Sequence, residues 1–287
     1  MKQKKSAVTI GVFDGVHLGH KFLINKTLLA ARKNNLKSVV VALEKPVLKS
    51  GGLLSLYDEK LAELSKLGID EIVILEVPSN ILSKEPKEFY DEFLIKFLKA
   101  SKIICGVDFA FGKNRKGNVS WLKKQKNISV DIVKPLKISN AAVSSSRIRK
   151  LLERSDIGKI NKLLGRSYSF SGMPFKDRGI GNKMGFPTVN LKVDASKLLP
   201  KGVFISIIEQ NGKIYPSITN IGLRPTFKDT NALVAEVHIL NFEGKWKKAK
   251  TTVHLLKFLR KEKKFKSVLE LKKQISKDIC KAQIHFV

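Results

Sequence analysis

The chain has 287 residues, 43% of them hydrophobic and 8% aromatic, a composition typical of a globular protein with room for two domains. Its formal charge is +30, but nine of its 55 basic residues are arginine and the others are lysines scattered along the whole sequence. Proteins that read nucleic-acid sequence favour arginine forks or aromatic residues interleaved with basic ones. The pattern therefore favours a solvated lysine-rich surface with a weak attraction for polyanions over specific nucleic-acid binding.

Cysteine usage and hydropathy indicate the compartment. Cys105 and Cys280 are far apart in the sequence and match no metal-ligand spacing, which is typical of a reducing cytosol. The apolar run at residues 7–13 is too short for a signal sequence, and no segment approaches the length of a membrane span. We therefore expect a cytoplasmic protein with no membrane partner. No heptad or large apolar stripe predicts an oligomeric state.

In the first half, short apolar runs alternate with amphipathic stretches. This order of strand, helix and strand predicts a Rossmann-like α/β domain, in which helices cover both faces of a parallel sheet. The pattern predicts strands at residues 7–13, 38–43, 71–77, 102–106 and 128–133, and helices at residues 21–34, 57–67, 86–99 and 121–124.

From about residue 166 the pattern changes, because glycine and proline become frequent and β-type runs follow one another. This predicts a mainly-β domain, a small antiparallel barrel or sandwich, with a C-terminal helix over residues 268–281. Residues 146–164 are predicted to be helical and to join the two parts. We therefore expect domains at 1–165 and 166–287. The predicted strands cover residues 168–173, 203–209, 213–221, 233–240 and 251–256.

Residues 11–20, Gly-Val-Phe-Asp-Gly-Val-His-Leu-Gly-His, lie between the first predicted strand and the first predicted helix. His17 and His20 are three residues apart, so both imidazoles are expected near the N-terminus of that helix. The unpaired N–H groups and the dipole of a helix N-terminus favour an anion. The segment therefore predicts a site for a phosphate chain.

Two further segments of the first domain suit a nucleotide. Residues 106–112, Gly-Val-Asp-Phe-Ala-Phe-Gly, place two aromatic rings between glycines after a predicted strand, an arrangement suited to a flat ring or a base. Residues 144–149, Ser-Ser-Ser-Arg-Ile-Arg, open a helix with hydroxyls, free N–H groups and two arginines, a second anion site. Alone, each is typical of an ordinary turn or a capped helix. Three such segments at strand ends favour ATP binding and attack on its α-phosphorus.

In the second domain, residues 179–190 form a glycine-rich loop that runs into Pro-Thr-Val-Asn. Its glycines are spaced G-x-G-x-x-x-G and no strand–helix pair frames it, so it is not a dinucleotide fingerprint.

Together these motifs resemble the bacterial bifunctional riboflavin kinase/FMN adenylyltransferases, the prokaryotic FAD synthetases. Residues 220–227, 235–240 and 258–265 match the same family, so the resemblance extends over nearly the whole chain. It implies that the second domain phosphorylates riboflavin to FMN with ATP and Mg²⁺. The first domain would then adenylylate FMN with a second ATP, which gives FAD and pyrophosphate.

The resemblance also implies residue roles. Glu236 matches the general base that takes the proton of the ribityl 5′-hydroxyl, whereas on residue pattern alone it would be a solvated strand carboxylate. Thr188 and Asn190 match the residues that bind nucleotide and Mg²⁺. His17 and His20 are predicted to be catalytic as well as phosphate-binding, and Phe109, Arg224 and Arg260 to bind flavin. The predicted ATP-binding residues are Gly11, Phe13, Asp14, His17, His20, Asp108, Ser144, Ser145 and Arg149 in the first domain, and Gly179, Gly181, Gly185, Pro187, Thr188 and Asn190 in the second.

Some positions depart from the family pattern and leave two alternatives open. Residues 43–47, Leu-Glu-Lys-Pro-Val, replace the family's Phe-x-Pro-His-Pro run, and Asn241-Phe242 replaces Asp-Phe. One alternative is therefore a riboflavin kinase whose first domain has lost or changed its acceptor. The other is a flavin- or RNA-binding regulatory protein without turnover, against which the intact Asp14, His17 and Glu236 speak.

Overall fold

The computed structural model describes residues 4–45, 52–76, 80–175, 185–223, 233–244 and 246–286. The chain divides into two compact units, residues 1–145 and residues 146–287.

A five-stranded parallel sheet forms the centre of the first unit, with strand order β3-β2-β1-β4-β7. Its central strands β1 and β2 are rich in β-branched residues and buried on both faces, as expected where helices cover a parallel sheet, whereas the edge strand β7 is largely exposed. The sheet strands are β1 (Ser6–Gly11), β2 (Lys37–Leu43), β3 (Glu71–Leu75), β4 (Ala100–Gly106) and β7 (Ser129–Val133), and two short ribbons pair β5 (Ala110–Phe111) with β6 (Gly117–Asn118) and β8 (Lys137–Ile138) with β9 (Ala141–Ala142).

The helices of this unit are α1 (Leu18–Lys33), α2 (Tyr57–Ser65), α3 (Pro86–Glu88) and α4 (Val119–Lys123), with a 3₁₀ turn at Lys113–Arg115. A π-helix, Phe89–Phe97, continues α3. The helix predicted over 86–99 is thus present, but most of it has π geometry, since the amide of Leu98 bonds the carbonyl of Phe93, five residues back.

The second unit contains a closed six-stranded barrel with strand order β10-β11-β14-β13-β12-β15, antiparallel throughout its paired strands. The predicted α/β domain followed by a small antiparallel barrel with a C-terminal helix is therefore confirmed. The elements are α5 (Ser145–Glu153), α6 (Ile157–Leu164), β10 (Tyr168–Phe175), β11 (Thr188–Val193), β12 (Gly202–Gln210), β13 (Lys213–Leu223), β14 (Leu233–Ile239), β15 (Thr251–Arg260) and α7 (Val268–Phe286).

Two local predictions for this unit need correction. The stretch 146–164 is two helices, because the chain leaves helical geometry at Ser155, where φ is 55°, and Asp156 caps the new helix at Lys159 N. Residues 188–193, predicted as the end of a loop, form strand β11, which closes the barrel between β10 and β14.

The two faces of the barrel wall differ in chemistry. Leu191, Ala235 and Ile221 lie opposite one another on β11, β14 and β13 and are fully buried in the interior. The next rung, Asn190, Glu236 and Asn220, has the reverse orientation, because neighbouring residues of a strand point to opposite faces. Part of that outer face is covered by α7, where Ala282 packs against Val203, Ile205 and Ile218 among others.

Candidate functional sites

The turn after β1 begins at the carboxyl edge of the parallel sheet, where the strand order reverses between β1 and β4. From β1 the chain proceeds to β2 and β3 on one side and then crosses to β4 on the other. Ligands of open α/β sheets bind in the crevice at such a switch point. Gly11 ends β1 and Gly106 ends β4, so the predicted segments 11–20 and 106–112 both start there.

His17 and His20 lie at the start of α1 as predicted, and they contact each other directly. Their rings stack with centroids 3.6 Å apart, and His17 is the N-cap, whose Nδ1 accepts the backbone N–H of His20 at 3.2 Å. A neutral imidazole with an accepting Nδ1 carries its proton on Nε2. His17 therefore has an N–H donor on its far side, at a helix terminus that attracts anions.

The turn between β1 and α1 holds an unusual backbone. Phe13 and Val16 have φ values of 50° and 37°, and both side chains are buried. Positive φ in a β-branched residue is uncommon and costs about 1–3 kcal/mol, a strain that proteins retain mainly at functional sites. Gly19 is required by space, since a Cβ there would lie 3.0 Å from the carbonyl oxygen of Val143 and 3.1 Å from the His17 ring.

Asp14 anchors this turn to a neighbouring segment. Its Oδ1 accepts the backbone N–H groups of Leu54 at 3.0 Å and Ser55 at 3.2 Å, and Ser55 Oγ accepts the N–H of Gly15 at 2.9 Å. The hydroxyl of Ser145 donates to the carbonyl oxygen of Asp14 at 3.0 Å. The predicted serine segment thus contacts the predicted histidine segment. Ser144 adjoins it, and Arg149 lies further along α5 in the second unit.

Lys60 is a residue of this site that the sequence analysis missed. It is 2% exposed, and its Nζ donates to the carbonyl oxygens of Val12 at 3.1 Å, Leu43 at 2.5 Å and Glu44 at 2.8 Å. The ammonium group therefore joins the carboxyl ends of β1 and β2. Burial lowers the pKa of Lys60, and the charges of Asp14 and Glu44 oppose that shift.

His20 stays neutral at physiological pH. Burial lowers its pKa well below the ordinary value of 6.5, and the neighbouring His17 and Lys60 lower it further. In the unfolded chain, His20 gains a proton as the pH falls through its ordinary pKa, whereas in the folded chain it does not. The contribution of neutral His20 to the free energy of unfolding is therefore complete above the ordinary histidine pKa, and it is lost progressively as the pH falls below that value.

This predicts acid sensitivity of the first unit. Between pH 7.5 and 5.5 the free energy of unfolding should fall, because the unfolded state binds the additional proton. Chemical denaturation at several pH values, followed for the parent and for His20→Asn, measures the effect. The variant should show a shallower dependence on pH, and equal slopes would contradict the assignment.

The second predicted segment, residues 106–112, is held by aromatic packing. Phe111 is buried in the core, and Phe109 stacks on it with centroids 5.7 Å apart. Asp108 is exposed, and its carbonyl oxygen accepts a hydrogen bond from Arg115 at 3.3 Å. Phe109 thus packs one face of its ring on the protein at the carboxyl edge of β4.

A groove of about 740 Å³ runs between α1 and the end of β7. Its walls combine apolar side chains with lysines, a lining that suits an aromatic base attached to phosphates. The lining residues are Phe22, Lys26, Ile104, Asp131, Ile132, Val133, Lys134, Pro135, Leu136 and Lys137.

In the barrel, the predicted base Glu236 lies between two asparagines. Strand register places Asn190 of β11 and Asn220 of β13 on either side of it, on the same outer face. Both asparagine Oδ1 atoms are buried and have no hydrogen-bond partner in the part of the chain that the structure describes, and Asn190 is 8% exposed as a residue. Thr188 lies two residues from Asn190 on that face, opposite His238.

The rest of the predicted kinase residues lie around this rung or outside the described residues. Pro187 precedes Thr188 and its carbonyl oxygen accepts the Nδ1–H of His238 at 2.9 Å, so His238 is a packing residue. Gly185 has a φ of 86°, which only glycine adopts readily. Gly179, Gly181 and Arg224 fall outside the described residues.

Arg260, predicted to bind flavin, pairs with the C-terminal helix. Its Nε and Nη2 lie 2.9 Å and 2.8 Å from Oδ2 of Asp278, which is buried on α7, and Gln274 donates to Oδ1 of the same carboxylate. This pair fixes α7 to the end of β15. A flavin contact by Arg260 stays a prediction.

Comparison with known proteins now identifies the two units. The family model described as FAD synthetase matches residues 1–147, and the model described as riboflavin kinase matches residues 164–286. The chain belongs to the bifunctional riboflavin kinase/FMN adenylyltransferase family.

Curated relatives support the same assignment over both domains. A bifunctional riboflavin kinase/FMN adenylyltransferase of Buchnera aphidicola (subsp. Schizaphis graminum) is 36% identical, covering 96% of this chain and 92% of its own length. The Bacillus subtilis and Escherichia coli proteins of that name are 30% and 29% identical, over 84% and 83% of this chain and 80% and 79% of their own. The family resemblance predicted from the motifs is therefore confirmed.

A solved structure shares the fold along the whole chain. A crystal structure from Streptococcus pneumoniae, named a macrolide-efflux protein, superposes with a TM-score of 0.87 at 28% identity and covers 97% of this chain and 93% of that one. The name of that protein is not carried over, because both family models and the curated relatives agree on flavin-nucleotide synthesis. Among the described residues of this chain, no helix is long and apolar enough to cross a membrane.

Proposed function

We propose that this chain makes FAD from riboflavin in two steps, riboflavin phosphorylation in the barrel followed by FMN adenylylation in the α/β domain. The observation that carries the proposal is the separation of chemistry between the two units. The stacked histidine pair stands at the switch point of the first, whereas the Glu236 rung stands on the barrel wall of the second. Each unit thus supplies the residues that its own step needs.

In the kinase step, Glu236 takes the proton of the riboflavin 5′-hydroxyl as its oxygen attacks the γ-phosphorus of ATP. A new P–O bond forms, the bond to the β-phosphate oxygen breaks, and ADP leaves. A carboxylate in hydrogen-bond reach of the hydroxyl contributes about 10²–10⁴-fold to such a step.

Mg²⁺ is the metal that the kinase residues fit. The Thr188 hydroxyl and the buried Oδ1 of Asn190, which has no partner among the residues that the structure describes, lie on one face of β11. Hard oxygen donors are the ligands that Mg²⁺ prefers. Bound with ATP, the ion neutralises charge on the transferring phosphates. Thr188 and Asn190 would hold it, with Gly179, Gly181, Gly185 and Pro187 shaping the nucleotide loop.

In the adenylylation step, an oxygen of the FMN phosphate attacks the α-phosphorus of ATP. The bond to the β-phosphate oxygen breaks, and pyrophosphate leaves. His17 and His20 donate hydrogen bonds to the phosphates at the α1 N-terminus, with Ser144 and Ser145 of the same unit on the leaving side. A phosphate contact by Arg149 stays a prediction. Asp14 and Phe13 act by holding the turn, and Gly11 lets the Phe13 ring lie against the strand end.

The groove between α1 and β7 is our proposed site for the adenine end of ATP. Phe22 and Ile132 supply apolar surface, and Lys26 and Lys134 supply positive charge in the groove. Asp108 and Phe109, at the neighbouring strand end, would contact the nucleotide and the flavin ring respectively, and Arg224 and Arg260 would contact the flavin in the kinase domain.

The domain boundary and the compartment remain proposals. Gly165 ends α6 with a φ of 66°, and the riboflavin kinase match starts at residue 164, which supports a boundary after 165. Asn161 of α6, however, already bonds Leu255 and Tyr168 of the barrel. Cys105 and Cys280 are free, in keeping with the reducing cytoplasm proposed here.

The turn at residues 11–20, which joins β1 to α1, is called the phosphate cradle below. Replacing both histidines of this cradle tests the separation of the two steps. In the double variant His17→Ala/His20→Ala, FAD formation from supplied FMN should fall by at least about 10²–10³-fold, because the phosphate donors are lost. FMN formation from riboflavin should stay at the parent rate. Lys33→Ala, an exposed position at the other end of α1, is the matched control. Equal loss of both activities would contradict two separate sites.

A further inference from the structure

Asn220 is a polar residue of the barrel wall to which the kinase chemistry above gives no role. It lies on β13, directly opposite Glu236 of β14, so the two Cβ atoms are about 4.5–5.5 Å apart on the same face. On the other side of Glu236, β11 contributes Asn190 in the same register. The predicted base therefore stands between two side-chain amides.

The two amides share an unusual property. The Oδ1 atoms of Asn190 and Asn220 are both buried, and neither has a hydrogen-bond partner among the described residues. Buried amide oxygens in proteins are nearly always paired. Two unpaired ones beside a single carboxylate indicate a ligand that brings its own donors.

The rung that contains Asn220 does not belong to the barrel interior. Leu191, Ala235 and Ile221, the adjacent rung, are fully buried inside the barrel and carry the hydrophobic contacts. Asn220 instead faces outward with Glu236. Its neighbour on the other strand, Val203 of β12, packs against α7, so Asn220 lies at the border between that apolar contact and Glu236.

The outer face near Asn220 is also shaped for close approach. Gly222 lies two residues further along β13 on the same face, and a Cβ there would fall 1.9 Å from Oε1 of Glu262. The carboxylate of Glu262 therefore lies against Gly222 on this face of the wall. Asn220 thus has the Glu236 side chain beside it and the Glu262 carboxylate further along its own strand.

We propose that Asn220 binds the polyhydroxylated side chain of the flavin substrate, its Oδ1 accepting a hydrogen bond from a hydroxyl next to the one that Glu236 deprotonates. This rests on the proposed kinase function. An amide oxygen remains an acceptor at every working pH, so it orients a hydroxyl without competing for its proton. Asn190, on the other side of Glu236, serves the metal and nucleotide.

Flavin binding with and without the hydroxyl chain tests this assignment. Riboflavin and lumiflavin share the ring system, but lumiflavin has no ribityl chain. In Asn220→Leu, the riboflavin Kd measured by fluorescence titration with ADP and Mg²⁺ present should rise about tenfold, as for one lost hydrogen bond. The lumiflavin Kd should stay unchanged. Ile214→Ala, an exposed position on the same strand, is the control.

The contrary outcomes are distinct. An equal rise for both flavins would mean that leucine alters the shape of the site, and it would overturn the hydroxyl contact. A raised KM for ATP or a raised Mg²⁺ requirement with an unchanged riboflavin Kd would place Asn220 on the nucleotide side and would also overturn it. A parent protein that neither binds riboflavin nor forms FMN would refute the proposed function itself. FAD formation from supplied FMN reports that each variant is folded.

Discussion

Glu236→Gln should reduce riboflavin phosphorylation by about 10²–10⁴-fold and leave FAD formation from supplied FMN unchanged. Glutamine keeps the size and the hydrogen bonds of the side chain but cannot take the proton of the 5′-hydroxyl. The half-buried position between Asn190 and Asn220 should therefore remain occupied in the same geometry.

The readout should separate rate from binding. We expect the loss in kcat, with the KM values for riboflavin and ATP close to those of the parent, because the proton is transferred only in the transition state. Glu243→Gln, which neutralises an exposed carboxylate of the same unit, is the matched control. FMN formation by Glu236→Gln at the parent rate would show that Glu236 is not the base.

Lys60→Met should destabilise the first unit by about 3 kcal/mol, because three buried or half-buried carbonyl oxygens lose a charged donor at once. Methionine fills nearly the same volume, so little of the effect would come from a cavity. Val12 directly precedes the strained turn, so FAD formation should also fall, by about tenfold or more. FMN formation should be unaffected.

Thermal denaturation and the two activity assays measure this prediction. Lys66→Met is the control, since Lys66 lies just beyond the same helix and its ammonium pairs with Glu63 at the surface. Surface pairs of this kind contribute little to stability. If both variants had the same stability and the same rate of FAD formation, the ammonium group of Lys60 would not organise the cradle.

Lys60 also contacts the start of residues 43–47, the segment whose sequence departs from the family pattern. Its contacts are to the backbone carbonyl oxygens of Leu43 and Glu44, which do not depend on the side chains there. The start of this segment is therefore held although its sequence departs from the family pattern. This favours a first domain that still has adenylyltransferase activity over one that has lost or changed its acceptor. Measuring FAD formation from supplied FMN distinguishes the two.

Local motifs predicted the cradle well because its chemistry is contiguous in sequence. His17 caps the helix that contains His20, and such a cap can be inferred from ten residues. The contacts that hold the cradle are long-range: Asp14 reaches Leu54 and Ser55, and Lys60 reaches Val12. The sequence does contain one indication that Lys60 is buried: it lies four residues before Leu64, on the apolar side of α2.

The features that the sequence did not predict were missed for different physical reasons. The π-helix at Phe89–Phe97 keeps aromatic residues at helical spacing, and periodicity does not distinguish a five-residue hydrogen-bond step from a four-residue one. Strand β11 alternates polar and apolar residues, but it directly follows a glycine-rich loop, and its first residues were therefore assigned to that loop. The role inferred for Asn220 required the register of three strands, which only the folded barrel provides.

The most direct test of the account is a time course of riboflavin incubated with the purified protein, ATP and Mg²⁺, with the flavins separated by chromatography. We expect FMN to rise first and then to decline as FAD accumulates, because each unit performs one step. FMN that accumulates without FAD, even when fresh FMN and ATP are supplied, would contradict the assignment of the first unit. The absence of any FMN would contradict the assignment of the second.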